Sequence, residues 1–128
     1  MNDIPPSPCV WFEIPIARPE ITLNFYQQVF QWQLKPFNDA PEDSRHQLWH
    51  IYESLDLPCG GLYVNPDSAG KNGIELYLRV ENVEKTLNLA RKYNGSIVLE
   101  KTKRPDGSGF YARIQDPDGN YLGVWGII

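Results

Sequence analysis

The chain has 128 residues, a hydrophobic fraction of 41% with 12% aromatics, and a formal net charge of −4. Those values fit one compact domain with a packed core, and the acidic balance excludes nonspecific nucleic-acid binding, which needs a basic face to neutralise phosphates. No apolar run reaches the length of a membrane span, and Met1-Asn2-Asp3-Ile4-Pro5-Pro6 lacks a signal-peptide layout, so a cytoplasmic protein with reduced thiols is expected.

Residues 10–16 alternate with a period of two, Val10, Phe12, Ile14 and Ile16 on one face and Trp11, Glu13 and Pro15 on the other. Pro15 cannot donate to a ladder, which predicts an edge or a strand end. Arg18-Pro19-Glu20 opens a helix whose apolar stripe is Leu23, Tyr26 and Phe30. Short strands are predicted around Trp32–Leu34, Gln47–Tyr52 and Gly61–Val64, with Lys35–Arg45 as a loop. Cys9 and Cys59 lie beside strands and read as packing residues rather than nucleophiles. His46 and His50 share a strand face, too far apart to bind one ion, and read as rim residues.

Asn65 to Gly73 reads as a linker. A strand at Ile74–Val80, a helix at Val83–Tyr93 with a stripe of Val83, Leu87 and Ala90, and an Asn94-Gly95 stop follow. Further strands are predicted at Ser96–Leu99, Phe110–Gln115 and Tyr121–Trp125, the last two joined by the turn Asp116-Pro117-Asp118-Gly119. Lys101 to Gly109 reads as a basic loop that would steer or clamp an anionic substrate from the rim of a cup.

The second half repeats the first. Glu20-Ile21-Thr22-Leu23-Asn24 returns 64 residues later as Glu84-Lys85-Thr86-Leu87-Asn88, and Phe12, Ile14 and Ile16 return as Leu76, Leu78 and Val80. Two copies are too few for a solenoid, so a pair of βαβββ modules around a shared cavity is expected. The fold class is therefore α+β, one domain over residues 1–128, with module 1 at about 8–66, a linker at 65–73, and module 2 at about 72–128. The strand faces away from the helices carry Trp11, Glu13, Glu75, Tyr77 and Arg79, with Tyr121 and Trp125 on the last strand.

Trp11-Phe12-Glu13-Ile14-Pro15-Ile16, Phe25-Tyr26, Gly60-Gly61, the strand before Glu81-Asn82-Val83, and Asp116-Pro117-Asp118-Gly119-Asn120 resemble the vicinal oxygen chelate superfamily. That superfamily holds glyoxalase I, bleomycin-resistance proteins and extradiol dioxygenases. The resemblance runs from Val10 to Trp125 and is closest to small bacterial glyoxalase-like proteins. It implies metal-ligand positions at Trp11, Gly61, Glu75 and Gly123, of which only Glu75 has a donor side chain. No bound metal or cofactor is therefore expected, beyond a weak divalent site at Glu75 to which Glu13 would lend an oxygen.

Three functions compete. The first is a metal-independent small-molecule binding protein, with Trp11, Tyr77, Arg79, Lys101, Tyr121 and Trp125 as ligand contacts. The second, by resemblance, is a lyase or isomerase with Glu13 or Glu75 as general base. The third is an interaction module without chemistry. Glu75 has the competing reading of an ion-pair partner for Arg79 or a neighbouring strand. A homodimer is expected by resemblance, with the arm Ile4-Pro5-Pro6-Ser7-Pro8 packed on the partner.

Overall fold

The computed structural model describes residues 11–37, 47–53, 57–71 and 75–128. The readings made of the arm at Ile4–Pro8, of Cys9, Val10, His46, Ile74 and most of the Lys35–Arg45 segment lie outside those residues.

Element order is β1 (Phe12–Ile16), α1 (Pro19–Phe30), β2 (Gln33–Pro36), β3 (Leu48–Tyr52), β4 (Gly60–Val64), β5 (Leu76–Arg79), α2 (Val83–Lys92), β6 (Ser96–Lys103), β7 (Phe110–Gln115) and β8 (Tyr121–Gly126). Each half is βαβββ. Sheet A has the order β1-β4-β3-β2 and sheet B the order β5-β8-β7-β6, so the two halves share one topology. In both, the first strand runs parallel to the last and lies at the sheet edge, where Pro15 leaves no ladder bond unmade.

Helix α1 differs from its predicted stripe. Its buried residues are Thr22, Phe25, Tyr26 and Val29, while Leu23 and Phe30 are half-buried. The reason is a second neighbour: Phe25 reaches Gly95, where a Cβ would come within 2.6 Å of its ring. Tyr26 stacks on Trp32 with centroids 5.2 Å apart. Helix α2 buries Val83, Thr86, Leu87 and Ala90, as the spacing predicts, and Asn82 caps it by accepting the Lys85 N–H at 3.0 Å. Asn94 follows in the left-handed region with φ 74°.

Strand β6 also departs from expectation. It continues through Lys101-Thr102-Lys103, which the charge pattern assigns to a loop, with Thr102 opposite Tyr111 and Lys103 opposite Phe110. Two register shifts along the β6–β7 pair keep the ladder going past Leu99, and the hydrogen-bonded strand outweighs the charge run, whose lysines point to solvent.

The two halves are joined by the turn Asp116-Pro117-Asp118-Gly119-Asn120. The Asp118 carboxylate, shielded from solvent, accepts the Ala17 N–H at 2.8 Å, the Arg18 N–H at 3.1 Å, the Thr22 hydroxyl at 2.5 Å and the Arg18 Nε at 3.0 Å. Arg18 has no capping side chain, so this carboxylate from the other half supplies the negative charge at the α1 N-terminus. Beside it the buried Asp116 accepts the Tyr26 hydroxyl at 2.8 Å, the Asn120 amide at 2.8 Å, and the backbone N–H groups of Asp118 and Asn120 at 2.8 and 2.9 Å. Asn120 in turn donates to the Pro15 carbonyl at 2.7 Å and accepts from the Gly70 N–H at 2.9 Å.

Burial alone would push the Asp118 carboxyl up, but the bonds from Thr22, Ala17 and Arg18 outweigh it and hold the group below the usual aspartate range. Its contribution is therefore complete above the unfolded value near pH ~4 and is lost as pH falls through the lower folded value. Asp116 is the reverse: burial dominates its bonds from Asn120 and Tyr26 and raises it, so its ionised form costs stability as pH rises. Asp118→Asn is expected to lose about 2 kcal/mol at neutral pH. It should also flatten the acid limb of a Tm-against-pH profile, whereas Asp116→Asn leaves that limb in place. A Tm for Asp118→Asn equal to the parent at pH 7 would remove this reading.

Candidate functional site

Alternation along the ladders leaves one face of each sheet turned from the helices. In sheet B this face is a grid. One row is Arg79, Trp125 and Tyr111, neighbours across β5, β8 and β7; the next is Tyr77, Gly123 and Arg113. Tyr121 and Gln115 are paired in a third. In sheet A the matching row is Glu13, Gly61, His50 and Lys35.

The sheet B face holds an open depression of about 490 Å³ lined by Tyr77, Leu78, Arg79, Arg104, Pro105, Tyr111 and Trp125. That volume suits a small organic molecule. The β6–β7 connection forms its rim. Gly109, with φ +96°, lies so close to β8 that a Cβ would sit 2.4 Å from the Gly126 carbonyl oxygen, and the Trp125 indole N–H donates to the Ser108 carbonyl at 2.8 Å. Glycine at 109 thus lets the loop fold back onto the strand, bringing Arg104 and Pro105 to the aromatic floor.

The structure brings together some of the residues singled out in the sequence and separates others. Tyr77, Arg79 and Trp125 line the depression together. Glu75 and Tyr121 lie on the same sheet face, both engaged by Arg113: Glu75 in an ion pair, and Tyr121 with the guanidinium 5.9 Å from its ring centroid. Trp11 and Glu13 belong to sheet A, where Trp11 meets His50 edge-on at 5.4 Å and His50 stacks on Phe37 at 4.6 Å. Lys101 places its ammonium 4.4 Å over the Phe110 ring, on the strand face opposite Tyr111. Half-buried Cys59 donates its thiol to the Ile51 carbonyl at 3.6 Å; burial and then the Glu53 charge push that thiol up, which fits a packing role.

The positions that the resemblance assigns to metal ligands do not fit an ion. A Cβ at Gly123 would lie 2.3 Å from the Tyr77 ring, so the space a donor side chain would enter is filled by that aromatic. At Gly61 a Cβ would meet Leu48 Cδ1 at 2.9 Å and lie 3.7 Å from the Trp11 indole. Glu75, the sole donor side chain of the four, is committed to Arg113. Among the described residues no group of three or more His, Cys, Asp or Glu side chains converges.

Tyr111 and Arg113 were not singled out in the sequence, while Arg104 and Pro105 fall within the basic loop read there as a rim clamp for an anionic substrate. Tyr111 and Arg113 alternate with the buried Ala112 and Ile114, a signal equivalent to the one that picked out Tyr77. For Arg104 and Pro105 the signal was the loop's basic composition, and the fold-back at Gly109 sets their position.

Among the described residues no helix is long and apolar enough to cross a membrane. No curated protein matches the chain in sequence. Solved structures share its fold. Glyoxalase I from Zea mays superposes with a TM-score of 0.72 at 19% identity, covering 91% of this chain and 43% of that one. The trypanothione-dependent glyoxalase I of Leishmania major gives 0.70 at 19% identity, covering 95% and 88%. The fosfomycin resistance protein FosX of Listeria monocytogenes gives 0.68 at 11% identity, covering 94% and 93%. With this fold established, and with the family model matching residues 9–124, the chain belongs to the Glyoxalase/Bleomycin resistance protein/Dioxygenase superfamily.

Proposed function

We propose that the protein is a metal-independent small-molecule binding protein, one domain of two modules, whose ligand rests on the aromatic face of sheet B. The observation that carries this reading is Tyr77 lying over Gly123: an aromatic contact surface occupies the place of a metal donor. Tyr111 and Trp125 extend that surface, and Trp125 has its indole N–H satisfied by the rim loop, leaving the ring face for a ligand. Glu75 orients Arg113 beside this floor. A lyase or isomerase with Glu13 or Glu75 as base has less support, since Glu75 is paired and Glu13 stands exposed on sheet A.

Thermal-shift screening of small metabolites against the intact chain should yield a stabilising ligand. Tyr77→Ala is expected to weaken that ligand about tenfold, the loss of one aromatic contact. Gly123→Ala should do the same by displacing the ring, with a small change in Tm because Tyr77 is 51% exposed and free to swing outward. Unchanged affinity in both variants would refute the assignment.

Elemental analysis after chelator-free purification should find no near-stoichiometric zinc, nickel, iron or manganese, because the paired carboxylate of Glu75, even with Glu13, makes a weak donor set. A tightly held ion would overturn the metal-independent reading. A homodimer is part of the same proposal, as membership of the superfamily suggests. Light scattering at micromolar concentration should give twice the chain mass, and a monomer would end that part of the proposal.

A further inference from the structure

We infer that the ligand of the sheet B depression is a small aromatic carboxylic acid, its ring on Tyr77, Tyr111 and Trp125 and its carboxylate held by Arg79 and Arg104. This rests on the binding reading above and adds the charge and shape of the occupant.

The charge argument is an accounting of guanidiniums. Three arginines reach this face: Arg79, Arg104 and Arg113. Arg113 is neutralised by Glu75. Arg79 has no ion-pair partner among the described residues; its guanidinium lies 5.9 Å from the Trp125 ring centroid. That distance is at the outer limit of a cation–π contact and uses none of the group's N–H donors, which remain to pair with a carboxylate. Arg104 touches Asp106 through one nitrogen at 3.4 Å, a long contact between side chains 46% and 57% exposed. Asp106 is otherwise occupied by the Ser108 N–H and hydroxyl at 2.9 and 2.6 Å, so it is a loose tether for Arg104 rather than a closed pair. No carboxylate lines the depression. In a chain with net charge −4 this recess is locally positive, and an amine would meet two guanidiniums and no carboxylate to pair with.

The shape argument comes from the floor. Arg79, Trp125 and Tyr111 are in one row across three strands, and Tyr77 stands in the next. A flat ring covers these faces at little entropic cost, and the charged groups at the edge set its orientation.

The test uses the intact chain and three probes of one shape: 2-naphthoate, 2-naphthalenemethanol and 2-naphthylmethylammonium. Binding is followed by the indole N–H signal of Trp125, assigned with Trp125→Phe. Naphthoate should bind at least about tenfold tighter than the alcohol, as a charge-assisted pair requires. Arg79→Gln should erase that advantage and leave the alcohol's affinity unchanged. If the alcohol or the ammonium moves the Trp125 signal at equal or lower concentration, the carboxylate assignment is overturned and the site stands. If none of the three moves it, the binding reading of this face falls as well.

Discussion

Two aspartates in one five-residue turn hold the halves of this protein in register. Asp118 reaches from the β7–β8 turn to the start of α1, and Asp116 receives Tyr26 from the middle of that helix. Neither contact is an isolated ion pair. Each carboxylate accepts four hydrogen bonds, which is what makes a shielded charge tolerable. The relation between β1 and sheet B therefore follows from polar bonds at one corner, supported by the apolar cluster that runs from Ile14 and Phe25 to Leu87 and Ile114. The Asp-Pro-Asp-Gly stretch, which in sequence is only a turn signal, is a joint.

The concave faces show what the fold does with freedom that the joint leaves. Corresponding rows carry Glu13, Gly61 and His50 in sheet A, and Tyr77, Gly123 and Arg113 in sheet B. The glycine is common to both rows and the flanking chemistry is not. In sheet B an aromatic ring fills the space above the glycine and a guanidinium faces it across the strand. One scaffold thus presents a mixed-charge, histidine-bearing patch on one side, with Lys35 in the same row, and a cationic, aromatic patch on the other.

Much of this was legible in the sequence because the two relevant periods are short and repeated. Alternation through Phe12, Ile14 and Ile16 and again through Leu76, Leu78 and Val80 located the first strand of each half and the face turned from the helices. The repeat of Glu20-Ile21-Thr22-Leu23 placed both helices. What was not legible depends on register between strands distant in sequence. The partner of Glu75 is Arg113, which lies beyond the intervening β8, and nothing local to either residue announces it. The extension of β6 through Lys101 and Lys103 was hidden because charge suggests a loop whenever a solvent-facing strand edge is not considered. The α1 stripe was misplaced for a related reason: Phe25 answers to Gly95 in the other half.

The repeat is also a lesson in how identical letters diverge. Thr22 and Thr86 are mates, yet Thr86 bonds back to the Asn82 carbonyl at 3.1 Å within its own helix while Thr22 bonds to Asp118. Helix α2 closes its N-terminus with the adjacent Asn82; α1 waits for a group 101 residues away from Ala17. During synthesis the bonds that Asp118 makes at the start of α1 cannot form until the β7–β8 hairpin has been made. Contacts of such separation are slow to form. The second module holds its helix start with its own Asn82, so that part of the fold does not wait on the other half.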